Sequence, residues 1–232
     1  MKIGIITAMT SELKQLSNRL EEKTERTEGP FKYIEGKINN NAIILMQCGI
    51  GKVNAAAGTV EMIRNFHPDC IISTGVAGGI DSCLNVMDVV VSRLIVYHDV
   101  WCGEGNAYGQ IQGLPLFFEG NETLYRCACA LNTETPIHCG LICSGDQFIT
   151  SRNELENIKG KFPDGLAVDM ESGAIAQICF LYHVPFVSFR IISDTPGAEK
   201  HFEQYKNFWE ELANRSFGIT ETFLRSLPEK LN

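Results

Sequence analysis

The sequence of 232 residues is 44% hydrophobic, which is enough for one large α/β domain with a substantial core. Its formal net charge of -8 argues against a general nucleic-acid-binding protein, because such proteins carry a basic surface. No apolar run is long enough to span a membrane, and residues 1–6 form a strand pattern rather than a signal peptide. We therefore expect a single cytoplasmic domain over residues 1–232, with no nucleic-acid or membrane partner.

The nine cysteines are odd in number and lie mostly within apolar runs. This pattern favours buried free thiols in a reducing compartment over disulfide bonds. Only one residue separates Cys127 from Cys129, which is too close for a usual zinc-binding pair, and no histidine–cysteine cluster accompanies them. The sequence thus predicts no metal site.

The first strand and helix place one carboxylate at a strand end. Lys2 to Ile6 is a β-branched run typical of a buried strand, and Leu13, Leu16 and Leu20 then repeat at helical spacing. Glu12 therefore begins the first helix beside the end of the first strand. An acidic residue in a first helical turn also stabilises the helix dipole, so the position alone is compatible with a purely structural role.

A glycine-rich turn, followed by a helical pattern, lies within Cys48–Ala57 and contains Gly49 and Gly51. The spacing does not fit a P-loop, because Val53 stands where serine or threonine is required. It does not fit a dinucleotide fingerprint either, because Asn54 replaces the third glycine. The glycines therefore predict a tight turn or a close approach of a ligand without a phosphate cradle, and the sequence predicts no cofactor.

The remaining segments predict a sheet whose strands end in polar or glycine-rich loops. The predicted strands after the first are Phe31–Ile38, Ala42–Gln47, Cys70–Ile72, Val86–Val96, Cys139–Cys143, Leu166–Val168 and Phe186–Ile192, and the first two of these form a hairpin. Helices are predicted over Leu124–Leu131, after Ser172 and from Phe202 onward, and residues 101–113 form an irregular loop.

Three carboxylates lie at strand ends of this sheet: Glu12, Glu171 and Asp194. In open α/β sheets, ligands bind at this edge. Paired carboxylates suit chemistry at an acetal-like carbon, where one activates water and another protonates the leaving group. Asp169 or Glu171 is also compatible with a plain helix cap, and Phe148 fits either a core position or stacking on a planar base.

Seven motifs in chain order resemble those of the 5'-methylthioadenosine/S-adenosylhomocysteine nucleosidases, and they cover nearly the whole chain. They are Gly4–Met9 with Glu12, Gly49–Ala56, Ser73–Gly79, Tyr97–Asp99, Ser144–Phe148, Val168–Glu171 and Ile192–Asp194. The resemblance implies a nucleoside phosphorylase-like fold, which is a three-layer α/β/α domain with a mixed, partly barrel-like central sheet. It also implies hydrolysis of the adenine–ribose bond of both nucleosides, with release of adenine.

The resemblance further implies roles for individual residues. Glu12 is the implied general base that activates water, Asp194 the acid that protonates adenine at N7, and Glu171 the residue that binds the ribose hydroxyls. Met170 is expected to pack against the sugar and Phe148 to stack on adenine. The other implied substrate contacts are Ala8, Met9, Ile50, Val76, Ile149, Asp169, Ser193 and Tyr205, the last as a lid over the ligand.

The family forms homodimers in which the loop after Tyr97–Asp99 reaches the pocket of the neighbouring subunit. Tyr108 and Gln112 are therefore expected to contribute to the partner's pocket. Glu104, Asn106 and Gln112 replace residues that are often aromatic or proline in the family. These departures predict a more polar pocket for the 5' group of the substrate.

Three other functions stay open at this stage. A purine nucleoside phosphorylase would hold phosphate with arginines in the early loops, but Thr7–Glu12 and Ser73–Gly79 contain none, so water is the expected acceptor. Arg190 does not discriminate, because the resemblance gives both branches an arginine there. An aminodeoxyfutalosine hydrolase shares the motifs. A non-catalytic nucleoside-binding module is disfavoured, because binding alone requires neither a base nor an acid.

Overall fold

The structure, a computed structural model, describes residues 1–231, with the side chains of all of these except Glu211, Leu212 and Arg215. The strands are β1 (Lys2–Thr7), β2 (Glu21–Glu28), β3 (Phe31–Ile38), β4 (Asn41–Gln47), β5 (Cys70–Gly79), β6 (Val89–Tyr97), β7 (Phe118–Glu119), β8 (Ile137–Ser144), β9 (Gly165–Asp169) and β10 (Phe186–Asp194). The helices are α1 (Thr10–Ser17), α2 (Lys52–Phe66), α3 (Glu122–Cys129), α4 (Arg152–Lys161), α5 (Ser172–Tyr182), α6 (His201–Asn207) and α7 (Ala213–Ser226), and a π-helical turn at Phe208–Leu212 joins the last two.

The strands form one mixed sheet in the order β10-β6-β8-β9-β5-β1-β4-β3-β2, with β7 beside β6. An additional parallel pairing of β10 with β5 joins the two ends of the first five strands, so that they close into a barrel. The remaining strands extend this barrel as an open sheet that begins with the parallel pair β1–β5. The prediction of a mixed, partly barrel-like sheet is thus confirmed.

Helices cover both faces of the sheet, which gives the predicted α/β/α layers. On one face, Leu16 of α1, Leu124 of α3 and Phe223 of α7 join one buried cluster with strand residues, and Phe223 stacks on Phe189 of β10 at 4.8 Å between ring centroids. On the other face, α2 and α5 contact each other and belong to a second cluster. No helix within residues 1–231 combines the length and the apolar character needed to cross a membrane.

Three elements have no counterpart in the sequence-based prediction: β2, the two-residue strand β7 and α4. Strand β2 is polar along its whole length and lies at the sheet edge, where it pairs antiparallel with β3. Its periodicity gives no signal because neither of its faces is buried. Helix α4 is capped by Ser151, whose side chain accepts a hydrogen bond from the backbone of Glu154 while the Glu154 carboxylate accepts one from the backbone of Ser151.

The expectation of free thiols throughout is wrong for one cysteine pair. Cys129, the last residue of α3, is disulfide-bonded to Cys139 in β8. Cys129 is exposed and Cys139 is only half-buried, so the argument from apolar surroundings does not apply to them. The other seven cysteines are free.

Candidate active site

A cavity opens where β5, β9 and β10 end beside the start of α1. Its volume is about 600 Å³ when the space at its open mouth is counted. All thirteen residues that the sequence analysis assigned to the chain's own catalytic and substrate-binding set line it: Ala8, Met9, Glu12, Ile50, Val76, Phe148, Ile149, Asp169, Met170, Glu171, Ser193, Asp194 and Tyr205. The set comes from seven separate stretches of sequence, and folding brings it to one place.

Glu12 is held rigidly by backbone donors. Its Oε2 accepts hydrogen bonds from the amides of Ala8 and Met9, both at 2.9 Å, and its Oε1 accepts one from Val76 at 3.0 Å. The side chain is fully buried, and this burial raises the pKa of Glu12, while the nearby Arg190 and the three amides oppose the rise. A buried carboxylate with a raised pKa is suited to accept a proton.

A buried ion pair lies below the cavity. The Nε of Arg190 lies 2.8 Å from Asp169 Oδ2, and the Nη2 of Arg190 donates to Ser73 Oγ at 2.8 Å and to Ser172 Oγ at 3.0 Å. Asp169 also accepts hydrogen bonds from the backbone and the hydroxyl of Ser172. Asp169 therefore works partly as the helix cap that the sequence allowed, because it fixes the first turn of α5.

Glu171 occupies the N-terminal boundary of α5 but does not cap the helix with its side chain. Its Oε1 instead accepts a hydrogen bond from the amide of Gly51 at 2.9 Å. Gly51 has a φ of 94°, a conformation that favours glycine and that turns this amide toward the carboxylate. Burial raises the pKa of Glu171 to about 7, against the attraction of Arg190, whose Nη2 is 3.9 Å from Oε2.

Asp194 ends β10 next to a break in the register with β5 between Ile192 and Asp194. Such a bulge changes the direction of the side chains that follow it. The Asp194 carboxyl accepts a hydrogen bond from Ser193 Oγ through Oδ1, and its Oδ2 lies 2.6 Å from His201 Nε2. Burial raises the pKa of Asp194, although both of these partners oppose the rise. A carboxyl that keeps its proton more readily than usual is suited to act as an acid.

Aromatic side chains form the wall beside Asp194. Phe148 is 48% exposed, so it is not the core residue that the sequence also allowed. Its ring lies 5.6 Å from that of His201 and 5.8 Å from that of Tyr205, between centroids. The hydroxyl of Tyr205 is 3.6 Å from the sulfur of Met9, so α6 and the loop before α1 meet over the cavity. A planar ligand can stack on Phe148 in this arrangement.

Comparison with known proteins identifies the family. The model of the phosphorylase superfamily matches residues 2–225. The 5'-methylthioadenosine/S-adenosylhomocysteine nucleosidase of Desulfotalea psychrophila is 40% identical over 232 residues, which cover 99% of both chains. The chain belongs to the 5'-methylthioadenosine/S-adenosylhomocysteine nucleosidase family. The corresponding nucleosidase of Geobacillus sp. strain WCH70 is 38% identical over 99% of this chain and 100% of its own.

Solved structures of the nucleosidase family have the same fold. The nucleosidase of Colwellia psychrerythraea, in complex with adenine, has a TM-score of 0.93 and 33% identity, and the match covers 100% of this chain and 97% of that one. The S-adenosylhomocysteine nucleosidase of Streptococcus pyogenes, in complex with 5-methylthiotubericidin, also has a TM-score of 0.93, with 37% identity and 98% of each chain covered. The nucleosidase fold expected from the sequence is therefore confirmed.

Several nucleosidase motif residues hold one another in place. Lys52 Nζ pairs with Asp99 at 2.8 Å, and the same Asp99 oxygen accepts a hydrogen bond from the amide of Asp146. Asp146 in turn accepts a hydrogen bond from the amide of Lys52 at 2.7 Å. These contacts tie the turn before α2 to the loops after β6 and β8. The charged residues of these motifs therefore hold the loops in place, while Ile50 and Phe148 from the same loops line the cavity.

Two residues expected at a nucleosidase site are not in this cavity. Tyr108 donates a hydrogen bond from its hydroxyl to the carbonyl of His98 at 2.9 Å, and Lys161 Nζ lies 3.4 Å above its ring. Gln112 is exposed to solvent. Neither residue lines the cavity of its own chain. This position is compatible with the predicted contribution of both residues to the pocket of a partner subunit.

The sequence analysis missed five residues at the site. Ala77, Gly78, Gln147 and Val168 line the cavity. They lie within motifs that the sequence analysis named, but none of them was assigned as a substrate contact. His201 was missed for a different reason. It begins a separate helix seven residues after Asp194, and only the fold brings its ring to the carboxyl.

Proposed function

We propose that this protein hydrolyses the bond between adenine and ribose in 5'-methylthioadenosine and S-adenosylhomocysteine. The observation that carries the proposal is the charge of the cavity. Four carboxylates line it, from Glu12, Asp169, Glu171 and Asp194, and none of the described lining residues is a lysine or an arginine. Such a wall stabilises positive charge on a sugar ring and does not attract an anionic co-substrate.

In the proposed reaction the bond between ribose C1' and adenine N9 breaks, and its electron pair goes to the base. Asp194 donates a proton to adenine N7, which neutralises the charge that develops there. Glu12 takes a proton from water, and the oxygen of that water forms the new bond to C1'. The products are adenine and the free sugar, with the proton that Asp194 gave balanced by the proton that Glu12 gained.

We assign Glu171 to the ribose hydroxyls. Its anionic form accepts hydrogen bonds from them and opposes the positive charge that the sugar carries in the transition state. The Gly51 amide and the nearby Arg190 favour this anionic form against the effect of burial. Met170 is the neighbouring apolar contact for the sugar, and Phe148 and Ile149 are the contacts for the base.

Water rather than phosphate is the proposed acceptor. A phosphorylase needs cationic groups that reach its phosphate. Here Nε and Nη2 of Arg190 are engaged by Asp169, Ser73 and Ser172 below the cavity, and Arg190 is not among the residues that line it. This observation extends the sequence argument, which could show only that the early loops contain no arginine.

The test is adenine release from both nucleosides, with and without inorganic phosphate. We expect release at the same rate in both conditions, with the free sugar as the second product. Release that requires phosphate and gives a ribose 1-phosphate would move the protein to the phosphorylases. Binding of both nucleosides without any release of adenine would show a binding module.

We also propose that the protein works as a homodimer whose interface lies at the mouth of the cavity. Large apolar side chains are exposed near this mouth. Ile50 lines the cavity and is 53% exposed, and Val53, three residues later in the chain, is 80% exposed. Trp101, in the loop that carries Tyr108 and Gln112, is 57% exposed. A second copy that covers these side chains would remove apolar surface from water. Light scattering should give twice the chain mass, and Val53→Glu should give monomers with reduced activity.

Two further proposals follow from the residues of this loop and from the cysteines. Glu104 is exposed and Asn106 is half-buried, which supports a polar 5' pocket that accepts S-adenosylhomocysteine well. A strong preference for 5'-methylthioadenosine in kcat/KM would contradict this. We place the protein in the cytoplasm because seven of its nine cysteines are free thiols, although Cys129 and Cys139 are bonded. Cell fractionation is the corresponding measurement.

A further inference from the structure

His201 lies against the carboxyl that we assign as the acid. It is the first residue of α6, it is buried, and its Nε2 is 2.6 Å from Asp194 Oδ2. The ring packs against both Phe148 and Phe202, at 5.6 and 5.1 Å between centroids. These contacts fix the orientation of the imidazole, so its contact with Asp194 is a fixed feature of the active site.

The other ring nitrogen determines where the imidazole carries its proton. His201 Nδ1 is buried and has no hydrogen-bond partner among the described residues. A proton on Nδ1 would therefore be a buried donor without an acceptor, which is costly. The neutral ring avoids this cost by carrying its proton on Nε2, which faces Asp194.

We propose that His201 is a positioning residue for Asp194, with its Nε2–H donating to the carboxyl that delivers the proton to adenine. This proposal rests on the proposed function. When the proton leaves, the carboxylate keeps two donors, His201 on Oδ2 and Ser193 on Oδ1. These bonds stabilise the form of Asp194 that the reaction produces, so they make the buried carboxyl a stronger acid than burial alone would allow.

The other ionisable groups around the pair come from several elements. They are Glu12 on α1, Glu171 at the start of α5 and Tyr205 on α6, which all face the cavity. Lys200 and Glu203 flank His201 in the chain, but they are exposed and pair with each other at 3.4 Å. None of these groups forms a described hydrogen bond with the imidazole, so the direct effect of replacing His201 falls on Asp194.

The experiment compares two replacements of His201 through the pH dependence of kcat. His201→Leu removes the donor, so Asp194 should hold its proton to higher pH, and the basic limb should move up by about 1–2 pH units. The plateau of kcat should fall by roughly 3- to 30-fold, because a weaker acid transfers its proton less readily. His201→Gln is the matched control, because its amide can donate from nearly the same position, and it should keep the basic limb of the wild type.

A purely structural role for His201 predicts a different result. His201→Leu would then lower activity equally at all pH values, with the basic limb unmoved, and this outcome would overturn the proposal. A shift in His201→Gln as large as that in His201→Leu would overturn it as well. KM should change little in both variants, since the stacking and ribose contacts are made by other residues.

A second measurement does not depend on activity or on the folding of a variant. Long-range ¹H–¹⁵N spectra of the wild-type protein report which ring nitrogen of each histidine carries the proton. We expect the His201 ring to carry a proton on Nε2, which faces Asp194, and a ring whose only proton is on Nδ1 would overturn the proposal. A wild-type protein that releases no adenine would instead refute the proposed function, whatever the tautomer is.

Discussion

Gly75 is the position where one added methyl group should cost the most activity. A Cβ built on this residue of β5 would lie 2.3 Å from Glu12 Oε1 and 2.9 Å from Arg190 Nη1. Ordinary contacts of a Cβ begin at 3.4 Å, and real ones essentially never come below 3.0 Å. Because Arg190 is buried and cannot retreat freely, Gly75→Ala must push the Glu12 carboxyl away by about 1 Å.

A displacement of this size conflicts with the proposed chemistry. The three backbone hydrogen bonds of Glu12 are already 2.9–3.0 Å long, so a carboxyl moved by this distance loses at least the bond from Val76. Misplacing a reacting group by about 1 Å typically costs on the order of 10²-fold in rate. We expect Gly75→Ala to lower kcat by about this factor and to change KM less, because Phe148 and Ile149 belong to another loop.

The assay is adenine release under saturating and limiting nucleoside, combined with thermal melting. Gly160→Ala is the matched control, since a Cβ there meets nothing within 4 Å and the residue lies in α4. It should keep wild-type kcat and gain stability, because alanine favours the helix by about 1 kcal/mol over glycine. A folded Gly75→Ala protein with wild-type kcat would refute the proposed role of the Glu12 position.

Three other variants test separate parts of the site and the fold. Asp194→Asn should lower kcat by about 10²–10⁴-fold in the adenine assay while the protein still binds adenine, because only the acid is lost. Phe148→Ala should raise KM by roughly 2- to 10-fold, whereas Phe180→Ala, at a similar exposure but outside the cavity, should not. The hydrogen bond from Lys159 lowers the pKa of Asp81 from 3.8 to about 2. The pair therefore stabilises the fold fully above pH 3.8, and this stabilisation is lost as the pH falls through 2. Asp81→Asn should therefore lower the melting temperature at neutral pH, and the difference from wild type should vanish toward pH 2.

The sequence predicted the site best at residues whose chemical type and position at the end of a strand pattern both indicated a catalytic role. Glu12 and Asp194 could be placed because each follows a short β-branched strand, and parallel strands end at one edge of the sheet. The same reasoning left two questions that only the structure answers. Phe148 proved to be an exposed cavity residue, and Asp169 proved to be both a helix cap and the partner of Arg190.

The features that the sequence could not predict depend on contacts between distant segments. Strand β2 exists because β3 offers it a free edge, and its own polar residues carry no strand periodicity. The barrel closes through the pairing of β10 with β5, whose residues are more than 100 positions apart in the chain. His201 reaches Asp194 only because α6 folds back over the cavity. Patterns within a short window of sequence contain no record of such contacts.

Arg190 shows how one buried cation can serve a cavity lined by carboxylates. Burial raises the pKa of Glu12 and of Glu171, and the positive charge of Arg190 opposes both rises from below the cavity. Asp169, at 2.8 Å, in turn stabilises the charged form of Arg190. The cation therefore favours the ionised form of these carboxylates, while Nε and Nη2 are held by Asp169 and serines and Arg190 does not line the cavity. An arginine at this position is thus compatible with either water or phosphate as acceptor, and the partners that hold its guanidinium, rather than its presence, favour hydrolysis here.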